Sequence, residues 1–167
     1  VQVTLNGQDY TTSTARFLAF DKSLVHVSAL VPQGGPMGGG THLTLLGNGF
    51  ADHNVHCTIG AAGDELTLVR ATVVNASVLL CTMPSREEAA ALPIEVTLNG
   101  DMHGHTLTSD GVLFDFFNES SVAINAIAPL GGPSKGGTLV TLTGAGYIDL
   151  GGVFCRFGPE ASSAVPA

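Results

Sequence analysis

Between residues 24 and 117 apolar and polar residues alternate with a period of two over short runs, and Gly, Pro, Asn and Asp punctuate the runs. Successive side chains on a strand point to opposite faces, so such runs predict strands with one buried face. They predict strands over 24–31, 41–47, 55–59, 66–74, 77–81, 92–98 and 112–117. So many short strands in a segment of that length predict an all-β fold, two sheets packed as a sandwich. One stretch breaks the pattern. Ser85 and Glu88 form a capping box ahead of Ala89, Ala90 and Ala91, and Pro93 stops the run. It predicts a helical connector of one or two turns, with a solvated turn as the plainer reading.

The pattern also repeats. Val3-Thr4-Leu5-Asn6-Gly7 recurs as Val96-Thr97-Leu98-Asn99-Gly100, displaced by 93 residues, and Gly34-Gly35-Pro36 recurs as Gly131-Gly132-Pro133, displaced by 97. The second match extends through Leu43-Thr44-Leu45 against Val140-Thr141-Leu142, Phe50 against Tyr147, and Cys57 against Cys155. A period this long is domain-sized and signals tandem modules. The registers divide the chain into the last strands of one module over 1–21, a whole module over 23–117, and the first part of another over 122–167. The segments between are short, which predicts a semi-rigid string of domains. The repeat further predicts that Thr41, Leu43 and Leu45 face inward while His42, Thr44 and Leu46 face out.

The glycine-rich stretches 34–40 and 131–137 invite a phosphate-loop reading, but they lack a Gly-Lys-Ser/Thr ending and lead into a strand, not a helix. They predict a wide turn between first and second strands in which Gly supplies positive φ and Pro stiffens the path. The pairs Gly47/Gly49 and Gly144/Gly146 read as bulge or turn positions before an aromatic plug.

The ordered string Pro-x-x-Gly-Pro-x-x-Gly-Gly-Thr, an aliphatic strand, Gly-x-Gly-(Phe/Tyr) and Cys-x-(Ile/Phe)-Gly occurs twice, starting at Pro32 and at Pro129. Val78-Leu79-Leu80-Cys81-Thr82-Met83-Pro84, Val96-Thr97-Leu98-Asn99-Gly100 and Val112-Leu113-Phe114-Asp115-Phe116 follow in the complete module. This set resembles the IPT/TIG family, the early-set immunoglobulin-like sandwiches of plexin and transcription-factor type. The resemblance implies an immunoglobulin-like β-sandwich used for spacing, adhesion or assembly, with no chemistry of its own. It also implies a disulfide between Cys57 and Cys81, whose loop would stabilise the module by about 3 kcal/mol through restriction of the unfolded chain. Cys155 aligns with Cys57 but no counterpart of Cys81 follows it. Its partner lies on a continuation of the chain, or on another chain, or it is a free thiol.

Composition then narrows the function. Hydrophobic residues make up 44% of the chain and charged ones 12%, enough apolar content to bury a core, while no apolar run is long enough to span a membrane. The formal net charge of -8 has the wrong sign for a surface that attracts phosphate backbones, so no nucleic acid partner is expected. The opening Val1-Gln2-Val3 shows neither initiator Met nor signal peptide, and is read as the start of a mature or internal piece. Asn75-Ala76-Ser77 and Asn118-Glu119-Ser120 are N-glycosylation sequons, which with the Cys pair favour an extracellular or cell-surface address.

No nucleophile elbow, zinc helix or EF-hand ladder is present. Glu87-Glu88 are adjacent on a charged loop and do not face each other across a cleft as glycosidase carboxylates must. His103 and His105, and His53 and His56, read as exposed loop histidines and do not complete a metal set. The expectation is therefore a non-enzymatic extracellular protein of tandem modules, without cofactor or metal, acting as a stalk, adhesin or filament unit. Its expected partners are neighbouring modules of the same or identical chains, with protein or glycan ligands as further candidates. The rival readings are a ligand-binding receptor ectodomain and a spacer or carbohydrate-binding module of a secreted enzyme.

Overall fold

The computed structural model describes residues 1–60, 66–102, 106–158 and 164–167. Among the described residues nine strands build the complete module: β1 His26–Val31, β2 Gly34–Pro36, β3 His42–Asn48, β4 His56–Ile59, β5 Thr67–Arg70, β6 Thr72–Asn75, β7 Val78–Thr82, β8 Ala90–Thr97 and β9 Leu113–Phe117. They form two sheets, one ordered β1-β3-β7-β6 and the other β2-β9-β8-β4-β5. Leu43, Leu45 and Leu79 of the first sheet and Ile59, Ile94 and Phe114 of the second are completely buried in a common core. The predicted sandwich is the observed one. On β3 the alternation holds as expected, with Leu43 and Leu45 inward and His42 and Leu46 exposed.

Three local expectations are corrected. The run 66–74 is not one strand, because the chain switches sheets at Ala71: β5 pairs with β4, and β6 pairs with β7. Ala71 is buried at the crossing and its N–H donates to Val55 O. The stretch 34–40 is only partly a turn. Gly34, Gly35 and Pro36 form β2, parallel to Asp115, Phe116 and Phe117 of β9. These first two glycines serve close approach: a Cβ on Gly34 would lie 2.6 Å from Asp115 O, and one on Gly35 3.1 Å from the Phe114 ring. Positive φ appears further on, at Gly39 and Gly40.

The third correction is the helix at 85–91, which does not form. Arg86 N–H donates to Met37 O, its guanidinium lies over the Phe116 ring at 5.7 Å, and Ala90 and Ala91 join β8 opposite Phe116 and Asp115. A sheet ladder outweighs one capping box on a run too short to hold a helix by itself. Glu87 and Glu88 sit exposed in the resulting bend.

A bulge is present opposite Gly47, with the extra residue, Ser28, on β1. β1 and β3 shift register between Val27 and Ala29, and a Cβ on Gly47 would lie 1.9 Å from His26 O and 2.7 Å from the Phe50 ring. After the complete module come β10 Ala123–Ala128, β11 Thr141–Ala145, β12 Phe154–Arg156 and β13 Ala164–Pro166. β10 pairs with β11 in the register of β1 with β3, shifted by 97, including the bulge between Ile124 and Ala126.

Candidate functional site

Among the described residues no three His, Cys, Asp or Glu side chains gather closely enough to hold a metal ion. His53 is exposed as expected, whereas His56 is not in an exposed loop: it starts β4 half-buried, and its Nδ1–H donates to Asn54 O. His103 and His105 lie outside the described residues. What the fold does assemble is a set of pins and joints.

Cys57 on β4 and Cys81 on β7 are bonded across the core, with Cα atoms 6.6 Å apart and a sequence separation of 24. The bond ties one sheet to the other. Cys155 is a free, half-buried thiol on β12. Asn75 ends edge strand β6, exposed, with Oδ1 accepting from Ser77 N–H across the two-residue turn to β7. Asn118 lies in the joint after the module, also exposed, and its Oδ1 caps the 3-10 turn Glu119–Ser121 by accepting from Ser120 N–H. In both, the amide nitrogen, the atom a glycan would take, stays outside the contact that shapes the backbone.

The joint ahead of the module has the same form. Asp21 caps the 3-10 turn Lys22–Leu24 by accepting from Ser23 N–H, at the position 97 residues before Asn118. The N-terminal segment also repeats the module's contacts. Val3 N–H donates to Thr11 Oγ1 and Thr11 N–H to Val3 O, as Val96 N–H does to Thr108 Oγ1 and Thr108 N–H to Val96 O. Thr4 bridges Tyr10 as Thr97 bridges Leu107. The displacement grows from 93 to 97 between these partners, so the complete module carries a longer loop there.

Sequence reasoning missed two carboxylates. Glu95 on β8 accepts from Thr108 Oγ1, from Asp110 N–H at 3.1 Å and from Gly111 N–H at 2.8 Å, and so fixes the strand-to-strand loop. Asp110 then reaches back to the start of the module, accepting from Val27 N–H at 2.7 Å. Its other oxygen lies 3.0 Å from His26 Nδ1, while His26 Nε2 lies 2.9 Å from Ser23 O in the capped joint. A carboxylate and a carbonyl only accept, so the doubly protonated imidazolium satisfies both contacts and the neutral ring loses one.

The side-chain bond to Asp110, then the bond to Ser23 O, accordingly raise the His26 pKa from its ordinary value. With a raised folded-state pKa, the clasp stabilises fully below the unfolded value of about 6.5 and is lost as pH rises through the folded one. We expect a proton-detected titration of His26 above the ordinary range, and a small fall in thermal midpoint over that window that His26→Gln abolishes. A titration at or below the ordinary value would contradict the clasp. The position 97 residues on is Ala123, so the second joint has no such group.

The second joint is closed differently. Gln33 N–H donates to Leu150 O at 3.1 Å, and the Leu150 side chain covers Gly34, where a Cβ would stand 2.4 Å from Leu150 Cδ1. An apolar cleft of about 420 Å³ opens beside this contact, lined by Pro32, Thr41, Phe117, Tyr147 and Ile148 among others. The arrangement presents surfaces and joints, and no helix is long and apolar enough to cross a membrane among the described residues.

Human fibrocystin-L is 28% identical over 126 residues, which are 75% of this chain and 3% of that protein, so the chain spans a small fraction of its relative. Two solved structures of the plexin A4 full extracellular region align at 22% and 23% identity with TM-scores of 0.45 and 0.47. They cover 56% and 63% of this chain and 8% of each of those chains. A family model described as the IPT/TIG domain matches residues 26–116, more than half the chain and the span of the sandwich from β1 to β9. The chain belongs to the IPT/TIG domain family.

Proposed function

We propose that this chain is a non-enzymatic segment of an extracellular or cell-surface protein, in which IPT/TIG modules in tandem hold and space contacts as a stalk or adhesive unit. The observation that carries the reading is the joint after the complete module. A capped 3-10 turn, the Gln33 to Leu150 hydrogen bond and the Leu150 side chain over Gly34 fix consecutive modules against each other, as a spacer requires. The Cys57–Cys81 bond and the two exposed sequons support an oxidising, secretory route.

Expression of the chain behind a secretion signal in a glycosylating host tests the address. We expect the secreted protein to lose N-glycan mass on enzymatic deglycosylation, with Asn75→Gln and Asn118→Gln each removing one glycan, and to gain two hydrogens at Cys57 and Cys81 on reduction. Unglycosylated, reduced protein from that route would contradict the reading.

A ligand-binding receptor ectodomain is the second reading. The outer face of the β1-β3-β7-β6 sheet favours it, because Val31, Leu46, Val74 and Leu80 stand exposed there at 52%, 36%, 56% and 42%, an apolar patch suited to a protein ligand.

A further inference from the structure

The two sheets of the complete module differ in charge. Arg70, Glu95 and Asp115 lie on strands of the β2-β9-β8-β4-β5 sheet, whereas no strand of the β1-β3-β7-β6 sheet carries an Asp, Glu, Lys or Arg. Leu30, Leu43, Leu45 and Leu79 of the uncharged sheet point into the core. The alternate positions therefore build its outer face, and strand pairing sets them in rows. One row runs Ala29, Leu46, Val78 and Asn75, and Leu80 follows Val78 on the same face. Asn75 is thus the edge residue of an otherwise apolar row.

That edge lacks the common guards. β6 is the last strand of the sheet, and beyond a bulge at Val74 it carries neither Lys nor Pro, the residues that keep an edge from pairing with another chain. The hairpin over 72–82 is uncharged and holds neither Gly nor Pro, and Val74 and Leu80 stand exposed on it. Such a segment tends to associate with copies of itself. Its turn is the sequon Asn75-Ala76-Ser77, and the turn is held in place. Asn75 Oδ1 accepts from Ser77 N–H at 2.8 Å, while Ala76 O accepts from Phe50 N–H and Ser77 O from Gly47 N–H, each at 3.0 Å.

We propose that an N-glycan on Asn75 covers the outer face of this sheet, its first two N-acetylglucosamine rings lying over Val78, Leu80 and Leu46, and so keeps the face from associating with a second copy of the chain. The proposal rests on the secretory address argued above. Val78 and Leu46 are one and two strand spacings from Asn75, about 5 and 10 Å, which two sugar rings in sequence span. Each ring offers C–H groups and an acetamide methyl to the aliphatic side chains and keeps its hydroxyls in water. The glycan also stands at the open side of β6, where an incoming strand would have to pair. Attachment joins Asn75 Nδ2 to C1 of the first sugar and breaks the bond from C1 to the pyrophosphate of a lipid-linked oligosaccharide donor. The lipid pyrophosphate leaves, and the amide gives up one proton.

The test uses the whole chain secreted from a glycosylating host, with Cys155 alkylated so that association reads non-covalent contact alone. Ser77→Ala removes the sequon at an exposed position and keeps Asn75 with its contact to the backbone N–H of residue 77. Ser120→Ala removes the other sequon and is the control. In the unchanged chain we expect nuclear Overhauser contacts from the acetamide methyl of the Asn75-linked sugar to the Val78 and Leu80 methyls. Sedimentation velocity should show Ser77→Ala associating at about tenfold lower concentration than the unchanged chain or Ser120→Ala, a factor that burial of one leucine side chain suffices to produce. A glycan at Asn75 without those contacts, or equal association of the three forms, would overturn the proposal and leave the face bare for a protein ligand. Glycan at Asn118 but not at Asn75 would overturn it as well, whereas glycan at neither would overturn the secretory reading with it.

Discussion

Phe114→Ala is expected to lower the unfolding free energy of the module by about 4 kcal/mol, the range for removing a fully buried aromatic ring and leaving a cavity. Phe114 has no exposed surface, its ring meets Phe116 edge-on with centroids 4.9 Å apart, and it lies on β9, between β2 and β8. The ring therefore packs the core while its own strand holds Gly34, Gly35 and Pro36 in place. Chemical denaturation of the variant beside the unchanged chain reads the effect as a lower midpoint at similar slope. A loss below about 1 kcal/mol would mean that Phe114 is not in a closed core, since exposed substitutions fall within that margin.

Reduction of Cys57–Cys81, or the double change Cys57→Ala and Cys81→Ala, is expected to cost about 3 kcal/mol, because the bond closes a loop between cysteines separated by 24 in sequence in the unfolded chain. Both sulfurs are buried, so the double variant also loses some packing between β4 and β7. Denaturation of the oxidised and the reduced chain side by side separates the two contributions, since reduction keeps the sulfur atoms in the core. Equal midpoints for the two would contradict a bond across the sandwich.

Period-two alternation made the strand faces legible in the sequence, because burial on one side is a local pattern: Leu43 and Leu45 inward, His42 and Leu46 outward. Alternation does not say which sheet a strand joins. The run from Thr67 to Asn75 keeps its alternation through Ala71 while the hydrogen-bond partners change from β4 to β7, so the crossing left no mark in the pattern. β2 was hidden for a different reason. Its glycines look like a turn, and only the approach of Asp115 and Phe114 shows why side chains are excluded there.

The cysteine pair was legible through the order of family motifs, since spacing by itself does not bring two strands of opposite sheets together. Glu95 and Asp110 were not, because their partners are backbone N–H groups and hydroxyls gathered from distant segments, and nothing in a lone carboxylate announces them. The repeat extends further in the structure than in the residues. Ala164, Val165 and Pro166 share only the valine with Leu68, Val69 and Arg70, yet pair in the same register.

The central claim is that the duplicated signatures mark successive copies of one sandwich module. Cross-strand nuclear Overhauser contacts in the isotopically labelled chain test it most directly. The account predicts contacts between Leu30 and Leu45 and between Leu43 and Cys81, and a matching contact between Ile127 and Leu142 with the bulge at Ile124 reproduced. Contacts confined to the first set, with residues 122–145 showing none across strands, would contradict it.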